Sequence, residues 1–181
     1  MGRSSLLRVA LSGALLWGCG SGGPVWSTEG PVEVVFSTYL GGNAIDQMRE
    51  VVPYPDGSAL VLGATHSTDL TVTDGAYQKA YAGDDPSLGH PGIFGGDAYL
   101  ARLAPDGRSI ERATYFGGSK QERGAYGIEL DRAGNVVIGG ATRSSDIPTT
   151  EGAFQRTYGG GLADAYVAKL SPDLDRLLWA T

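Results

Sequence analysis

The segment Ala113-Thr114-Tyr115-Phe116-Gly117-Gly118 decides the fold of this chain, because an earlier segment matches it. The earlier one is Ser37-Thr38-Tyr39-Leu40-Gly41-Gly42, whose tyrosine lies 76 residues before Tyr115. Further matched segments follow in the same order: Gly63-Ala64-Thr65 with Gly140-Ala141-Thr142, Asp74-Gly75-Ala76-Tyr77-Gln78 with Glu151-Gly152-Ala153-Phe154-Gln155, and Gly96-Asp97-Ala98-Tyr99 with Ala163-Asp164-Ala165-Tyr166. Landmarks that keep their order at a nearly constant spacing predict a repeat protein.

Glycine accounts for 29 of the 181 residues, about twice the usual ~7%. The glycines occupy matched places in the two copies, which is typical of turns and bulges rather than of a flexible linker. Aromatic and β-branched residues fill the segments between them, so disorder is not expected. The composition favours a tight-turned all-β protein.

The charge of the chain is acidic, with a formal net charge of −6. Without Arg3 and Arg8 of the leader, 12 basic residues face 20 acidic ones, which gives −8. Such a chain has no basic stripe that could release counterions from nucleic acid. We therefore expect no nucleic-acid partner.

Residues 1–18 have the parts of a secretion signal: two arginines, an apolar run over residues 9–17, and small residues after it. Leu16-Trp17-Gly18-Cys19 then resembles the lipobox of bacterial lipoproteins, although Trp17 is bulkier than the usual occupant. Cys19 is the only cysteine, so no intramolecular disulfide can form. The alternative is an ordinary cleaved signal, which would leave the protein secreted.

The lipoprotein interpretation predicts where the protein is found. Acyl chains on Cys19 would attach it to a membrane surface of the bacterial cell envelope without any helix crossing the bilayer. Residues 19–31, rich in Gly and Ser, would then be a flexible tether.

Alternating and β-branched segments predict the strands. In the first copy they are residues 32–40 (an N-terminal outer strand), 47–52, 58–65, 97–103 and 109–116; in the second they are residues 125–131, 135–142, 164–170 and 176–181. Residues 74–81 and 151–158 are each predicted to form one or two helical turns. Residues 82–95 hold an insertion that reads as an exposed loop.

Four strands per copy, joined by tight turns, match the plan of a propeller blade. The sequence thus predicts an all-β repeat domain over residues 32–181. It would hold two four-stranded antiparallel propeller-type blades, about residues 43–116 and 119–181, as an incomplete propeller.

The motifs of the second copy resemble the SBBP family, a bacterial β-propeller repeat. They are Ala113-Thr114-Tyr115-Phe116-Gly117-Gly118, Gly134-Asn135-Val136-Val137-Ile138-Gly139-Gly140-Ala141-Thr142, Ser144-Ser145-Asp146-Ile147-Pro148-Thr149-Thr150 and Asp164-Ala165-Tyr166-Val167-Ala168-Lys169-Leu170. The first copy departs from this pattern at Tyr54-Pro55-Asp56-Gly57-Ser58 and at Leu70-Thr71. The resemblance implies a secreted or surface-attached bacterial protein, and it carries no common catalytic residue.

A closed propeller needs four to eight blades, and isolated repeats cannot cover their faces. Three interpretations stay open: a fragment of a longer protein, a short protein that completes its ring by self-association, or an open stack of two sheets. Residues 176–181 stop within the motif, which favours a fragment.

Candidate sites for chemistry are few. His66 and His90 are predicted to be surface loop residues, and no zinc site of the Cys/His type is expected. Four aspartates at matched positions are candidate calcium ligands: Asp69, Asp146, Asp97 and Asp164. The alternative for them is turn chemistry, in which Asp bonds nearby main chain. A glycosidase-like pair of carboxyl groups also stays open.

Tyr39, Tyr115, Tyr99 and Tyr166 recur at matched places. They are interpreted as packing between blades, with an aromatic binding surface as the alternative. The sequence as a whole favours a binding or scaffolding module with a protein or carbohydrate ligand, acting through its loops. A carbohydrate-active enzyme and a structural repeat are the other hypotheses.

Overall fold

The computed structural model describes residues 34–83 and 95–181. Within these ranges the protein is all-β, without a helix, and forms two four-stranded antiparallel sheets, which confirms the predicted fold class. The strands are β1 Asp46–Pro53, β2 Ala59–Thr65, β3 Asp97–Leu103, β4 Ile110–Phe116, β5 Glu122–Leu130, β6 Val136–Thr142, β7 Asp164–Leu170 and β8 Leu177–Ala180. Two such sheets are compatible with incomplete propeller blades.

Several sequence predictions fall outside the described residues. They are the signal segment 1–18, Cys19, the tether 19–31, His90 and most of the loop 82–95. Both sheets belong to one compact unit, Tyr39–Thr181. Among the described residues, no helix is long and apolar enough to span a bilayer.

Each strand pairs with the next along the chain, in the orders β1-β2-β3-β4 and β5-β6-β7-β8. Tight turns make this meander possible. At the β1–β2 turn, the Gly57 N–H donates to the Tyr54 carbonyl (3.0 Å) and Gly57 has a φ of 87°. Gly134 holds the β5–β6 turn with a φ of 79°. Both angles lie in the left-handed region that glycine tolerates best.

The apolar core lies on both faces of the first sheet. Leu60 and Leu62 of β2 belong to a buried cluster that continues into Ile128 and Ile138 of the second sheet. Val61, between them, points the other way and joins a cluster with Tyr99 and Tyr115. Successive side chains of a strand face opposite sides, so the run Leu60-Val61-Leu62 is covered on both sides, as its composition predicted.

A carboxylate also joins the two sheets. Glu50 of β1 accepts the Ile128 N–H of β5 through Oε2, at 2.8 Å. The pairing of β5 with β6 shifts between Ala125 and Gly127, and that of β1 with β2 shifts between Met48 and Glu50. Because β5 is an edge strand of its sheet, the N–H groups on its outer side have no ladder partner there and can bond the neighbouring sheet.

Glu50→Ala should therefore weaken the contact between the sheets. The buried Ile128 N–H would lose its charged acceptor, which costs roughly 1–2 kcal/mol of unfolding free energy. Glu50→Gln keeps an acceptor oxygen and should cost less. Urea unfolding checks this, with the exposed Glu129→Ala as the matched control. An equal loss in both alanine variants would contradict the bond's role.

The predicted outer strand over residues 32–40 is wrong for its described part, because residues 34–40 have no regular secondary structure. The residues that match them, which end at Phe116, form a strand because they pair with β3, as in Tyr99 with Tyr115. Residues 34–40 belong to no strand ladder among the described residues, and a strand exists only through such pairing.

The predicted helical turns over residues 74–81 and 151–158 are also wrong. Each segment makes a single turn, closed by Ala76 N–H to Thr73 O (2.9 Å) in the first. The carbonyl of Gln78 then accepts the Tyr115 N–H at 3.1 Å. Since β4 uses these main-chain groups, they are not available for bonds within a helix.

Candidate functional site

An acidic side chain stands at the start of the first strand in each sheet, and we call Asp46 and Glu122 the anchor carboxylates. Asp46 accepts the hydroxyls of Thr65 (2.5 Å) and Ser67 (2.8 Å). Glu122 accepts the hydroxyls of Thr142 (3.0 Å) and Ser144. The Gly42 N–H donates to Asp46 at 2.8 Å, and the main chain of Gly118 bonds Glu122.

Sequence reasoning missed the anchor carboxylates. The signal that could have found them is a Thr-x-Ser triplet at the end of the second strand, which occurs as Thr65-His66-Ser67 and Thr142-Arg143-Ser144. These four hydroxyl side chains are buried, and buried hydroxyls need partners. An acidic residue 19 or 20 positions earlier supplies one in each case.

Asp69 and Asp146, two of the candidate calcium ligands, bind the loop before the first strand. Asp69 Oδ1 accepts the Asn43 N–H at 2.8 Å, and Asp146 Oδ1 accepts the Ser119 N–H at 2.9 Å. The Ser119 bond lowers the pKa of Asp146 below its usual range. These bonds span 26 and 27 residues, so they are not the local turn chemistry that was the alternative to calcium. The calcium interpretation of both aspartates stays a prediction.

Asp97 and Asp164 begin the third strand of each sheet. Asp97 Oδ2 accepts the Ala82 N–H at 2.7 Å, and Asp164 Oδ2 accepts the Gly159 N–H. In the described ranges, no group of three or more His, Cys, Asp or Glu side chains is arranged to hold a metal ion. His66 is half-buried just after β2, where its N–H donates to the Ile45 carbonyl at 2.9 Å.

Asp97 also faces Glu122 across the boundary between the two sheets. Both side chains are fully buried, and neither Asp97 Oδ1 nor Glu122 Oε2 accepts a hydrogen bond from another group of the described chain. A Cβ on Gly117 would lie 2.6 Å from each of these two oxygens, so only glycine fits between them. Two buried carboxyl groups at neighbouring positions disfavour each other's charged form, so at least one of them is expected to be protonated.

The pKa values agree with that geometry. Burial raises the pKa of Asp97 to about 8, and the charge of Glu122 acts in the same direction. Burial raises the pKa of Glu122 to about 7, against the bonds from Ser144 and Thr142, which lower it. Such values suit proton transfer, but the pair is sealed from solvent. The carboxyl groups of Asp97 and Glu122 can therefore keep a proton buried between the two sheets.

A cavity of about 390 Å³ lies beside β7, and we call it the β7 pocket. Its lining includes Ser144, Ile147, Tyr158, Asp164, Tyr166 and Thr181. In the first sheet, Tyr115 occupies the matched place: its hydroxyl donates to the Ser67 carbonyl and accepts the Leu70 N–H, both at 3.0 Å. Its ring meets Tyr81 and Tyr99 edge-on.

The four matched tyrosines thus differ in their surroundings. Tyr166 is buried in the cluster shared by both sheets, with its ring centroid 5.6 Å from that of Phe116, which confirms packing between blades for Tyr166. Tyr99 and Tyr115 are buried in a cluster of the first sheet alone, so they pack in the core and not between the two sheets. Tyr39 is fully exposed, so that interpretation is wrong for Tyr39. Tyr39 lies ahead of β1, outside the strands of both sheets.

Comparisons of the chain with protein-family models, with curated proteins and with solved structures found no match. The resemblance to SBBP repeats therefore stays a prediction from the sequence.

Proposed function

We propose that this chain is a lipid-anchored protein of the bacterial cell envelope whose propeller-type repeats act as a binding or scaffolding module. The observation that carries the proposal is the matched set of bonds around Asp46, Asp69, Glu122 and Asp146. In both sheets these carboxylates fix loops to strand ends instead of facing a cleft. The four carboxylates therefore hold in place the surface that these loops form.

The loops fixed in this way gather at one end of the first sheet. In the strand register, Asp46 pairs with Thr65 and Thr65 pairs with Asp97, so all three mark the same end. The loop before β1 and the loop after β2 meet there, where the Asn43 side chain bonds Thr68 Oγ1 at 3.1 Å. Loops on a rigid scaffold are the usual place for ligand binding, and the inserted residues 82–95 lead into Asp97 at this end.

The alternative, a carbohydrate-active enzyme, needs two carboxyl groups facing a substrate. Asp97 and Glu122 have the raised pKa values of such a pair, but both are fully buried. The binding module is therefore the better-supported function. Incubation with purified bacterial peptidoglycan separates the two: retention of intact polymer supports a binding module, and release of shortened fragments would favour the enzyme.

Cys19→Ser tests the anchor. Without the thiol no acyl chain can be attached, so we expect the variant to move from the membrane pellet to the soluble fraction of the cell envelope. Incorporation of labelled palmitate should be lost at the same time. Ser21→Ala, two residues further on, is the matched control and should stay in the pellet. Attachment of Cys19→Ser as firm as that of the unaltered chain would contradict the anchor.

A further inference from the structure

We propose that a calcium ion binds at the boundary between the two sheets, held by Asp97 Oδ1, Glu122 Oε2 and the Tyr166 hydroxyl, and we call these three groups the boundary site. The proposal goes beyond the binding or scaffolding function, because it concerns what joins the two sheets and not what their loops bind. It stands on three buried oxygens, contributed by both sheets, that have no hydrogen-bond partner in the described part of the chain.

The two carboxyl oxygens of the boundary site converge on the space beside Gly117. A Cβ on that glycine would lie 2.6 Å from each of them, and calcium bonds to oxygen at about 2.3–2.6 Å. The two oxygens are therefore close enough to bind the same ion. The other oxygen of each carboxyl group is already used, since Asp97 Oδ2 accepts the Ala82 N–H at 2.7 Å and Glu122 Oε1 accepts the Thr142 hydroxyl at 3.0 Å. These bonds hold the carboxyl groups with their unpartnered oxygens at the boundary.

The Tyr166 hydroxyl is the third oxygen of the boundary site. Tyr166 is only 3% exposed, and its hydroxyl has no partner among the described residues. Burial raises the pKa of Tyr166, and the charges of Glu122 and Asp97 act in the same direction, so the hydroxyl lies near both carboxyl groups. A buried hydroxyl without a partner costs free energy, and its lone pairs can bind a cation. The boundary site has only two carboxyl groups, so it is not a cluster of three or more His, Cys, Asp or Glu.

The matched groups of the first sheet have no such unpartnered oxygens. Both carboxyl oxygens of Asp46 accept hydrogen bonds, and the Tyr99 hydroxyl donates to the Thr71 carbonyl. Glu122 stands where Asp46 stands, but its side chain is one methylene longer and its charge acts on Asp97 of the other sheet. The three unpartnered oxygens therefore belong to the boundary and are not a general property of the repeat.

The charge and the donor atoms of the boundary site select the ion. In the described part of the chain, the ion pairs of Lys and Arg include neither Asp97 nor Glu122, so a proton or a bound cation has to compensate the two buried carboxyl groups. All three donors are oxygen atoms, which favours calcium over zinc, since zinc prefers nitrogen and sulfur ligands. Calcium also tolerates irregular geometry better than magnesium. On binding, it would displace the proton that the pair keeps in calcium-free solution and release it to the solvent.

Refolding with and without calcium tests the proposal. Both carboxyl groups are fully buried, so the ion can enter only while the sheets are apart. The purified chain is therefore unfolded in urea and refolded with EDTA, CaCl₂ or MgCl₂. We expect saturating calcium to raise the melting temperature by about 5 °C or more above that in EDTA, and magnesium to raise it much less. Equal melting temperatures in EDTA and in CaCl₂ would overturn the proposal.

Conservative variants locate the ion. Glu122→Gln and Asp97→Asn keep the side-chain shape but remove a charge, so each should abolish the calcium-dependent shift while circular dichroism shows a folded chain in EDTA. Tyr166→Phe keeps the ring and should weaken calcium binding about tenfold or more. Asp146→Asn and Asp164→Asn alter two other candidate calcium ligands and are the controls, and each should keep the full shift relative to the same variant in EDTA. A shift that is lost in a control but kept in Glu122→Gln would place the ion in the loops and overturn the boundary site.

Discussion

Gly96→Ala should lower the free energy of unfolding by roughly 3 kcal/mol or more, because it adds backbone strain to a direct overlap of atoms. Gly96 has a φ of 81°, in the left-handed region, and a Cβ there would lie 1.8 Å from the carbonyl oxygen of Thr65. The Gly96 carbonyl also accepts the Glu122 N–H at 2.9 Å. Any shift of this residue would therefore disturb β2 and the link to the second sheet together.

Gly152→Ala is the matched control for the overlap. Gly152 has nearly the same φ, 79°, but a Cβ at this position meets nothing within 4 Å. It should cost only about 1 kcal/mol, the price of the left-handed conformation for alanine. Urea unfolding of both variants separates the two contributions. Equal losses would show that the Thr65 carbonyl can move aside without cost.

The second large effect is a dependence of stability on pH that comes from Asp97 and Glu122. In the unfolded chain these carboxyl groups titrate near ~3.9 and ~4.3, whereas in the folded protein their pKa values are about 8 and about 7. The folded state thus binds protons that the unfolded state releases. The stabilisation is complete below about pH 4 and is lost as the pH rises through 7 to 8.

Glu122→Gln should remove much of this loss. The amide oxygen can still accept the hydroxyls of Thr142 and Ser144, while its NH₂ group can donate to Asp97. At pH 8 we expect the variant to be more stable than the unaltered chain by roughly 1–3 kcal/mol, with a flatter profile between pH 5 and 8.

Glu122→Ala should have the opposite sign, because it leaves the two buried hydroxyls without their acceptor. The exposed Glu129→Gln is the control and should leave the profile unchanged. Thermal unfolding at intervals from pH 5 to 8 measures all three variants. A flat profile in the unaltered chain would contradict the raised pKa values of Asp97 and Glu122.

The strands were predictable where their sequence alternates between marked turns. β3 and β7 match the predicted residues 97–103 and 164–170 at both ends, because an aspartate begins each and a Pro-Asp turn follows. β5 begins at Glu122, three residues before the predicted start. The reason is that Lys120-Gln121-Glu122 reads as a polar loop, although Gln121 and Glu122 are buried.

The candidate site was less predictable, because its bonds join residues far apart in the chain. Asp69 and Asp146 were correctly singled out as matched loop residues, but only the structure shows which main-chain groups they bind. The partnership of Glu122 with Asp97 depends on how the two sheets pack. The spacing of residues within one copy does not predict that packing. The two copies also carry different residues at this position, Asp46 and Glu122, so the match between copies does not point to Glu122.

The position of the segment Tyr115 to Gly118 has a consequence for how such a gene can grow. The Tyr115 hydroxyl bonds Ser67 in the first sheet, and the main chain of Gly118 bonds Glu122 at the start of the second sheet. A tandem duplication of one period would thus add a new sheet together with the segment that attaches it. Each new interface between sheets would repeat the contacts of the existing one. Lengthening would need no compensating change elsewhere, and only the two ends of the array would need separate solutions.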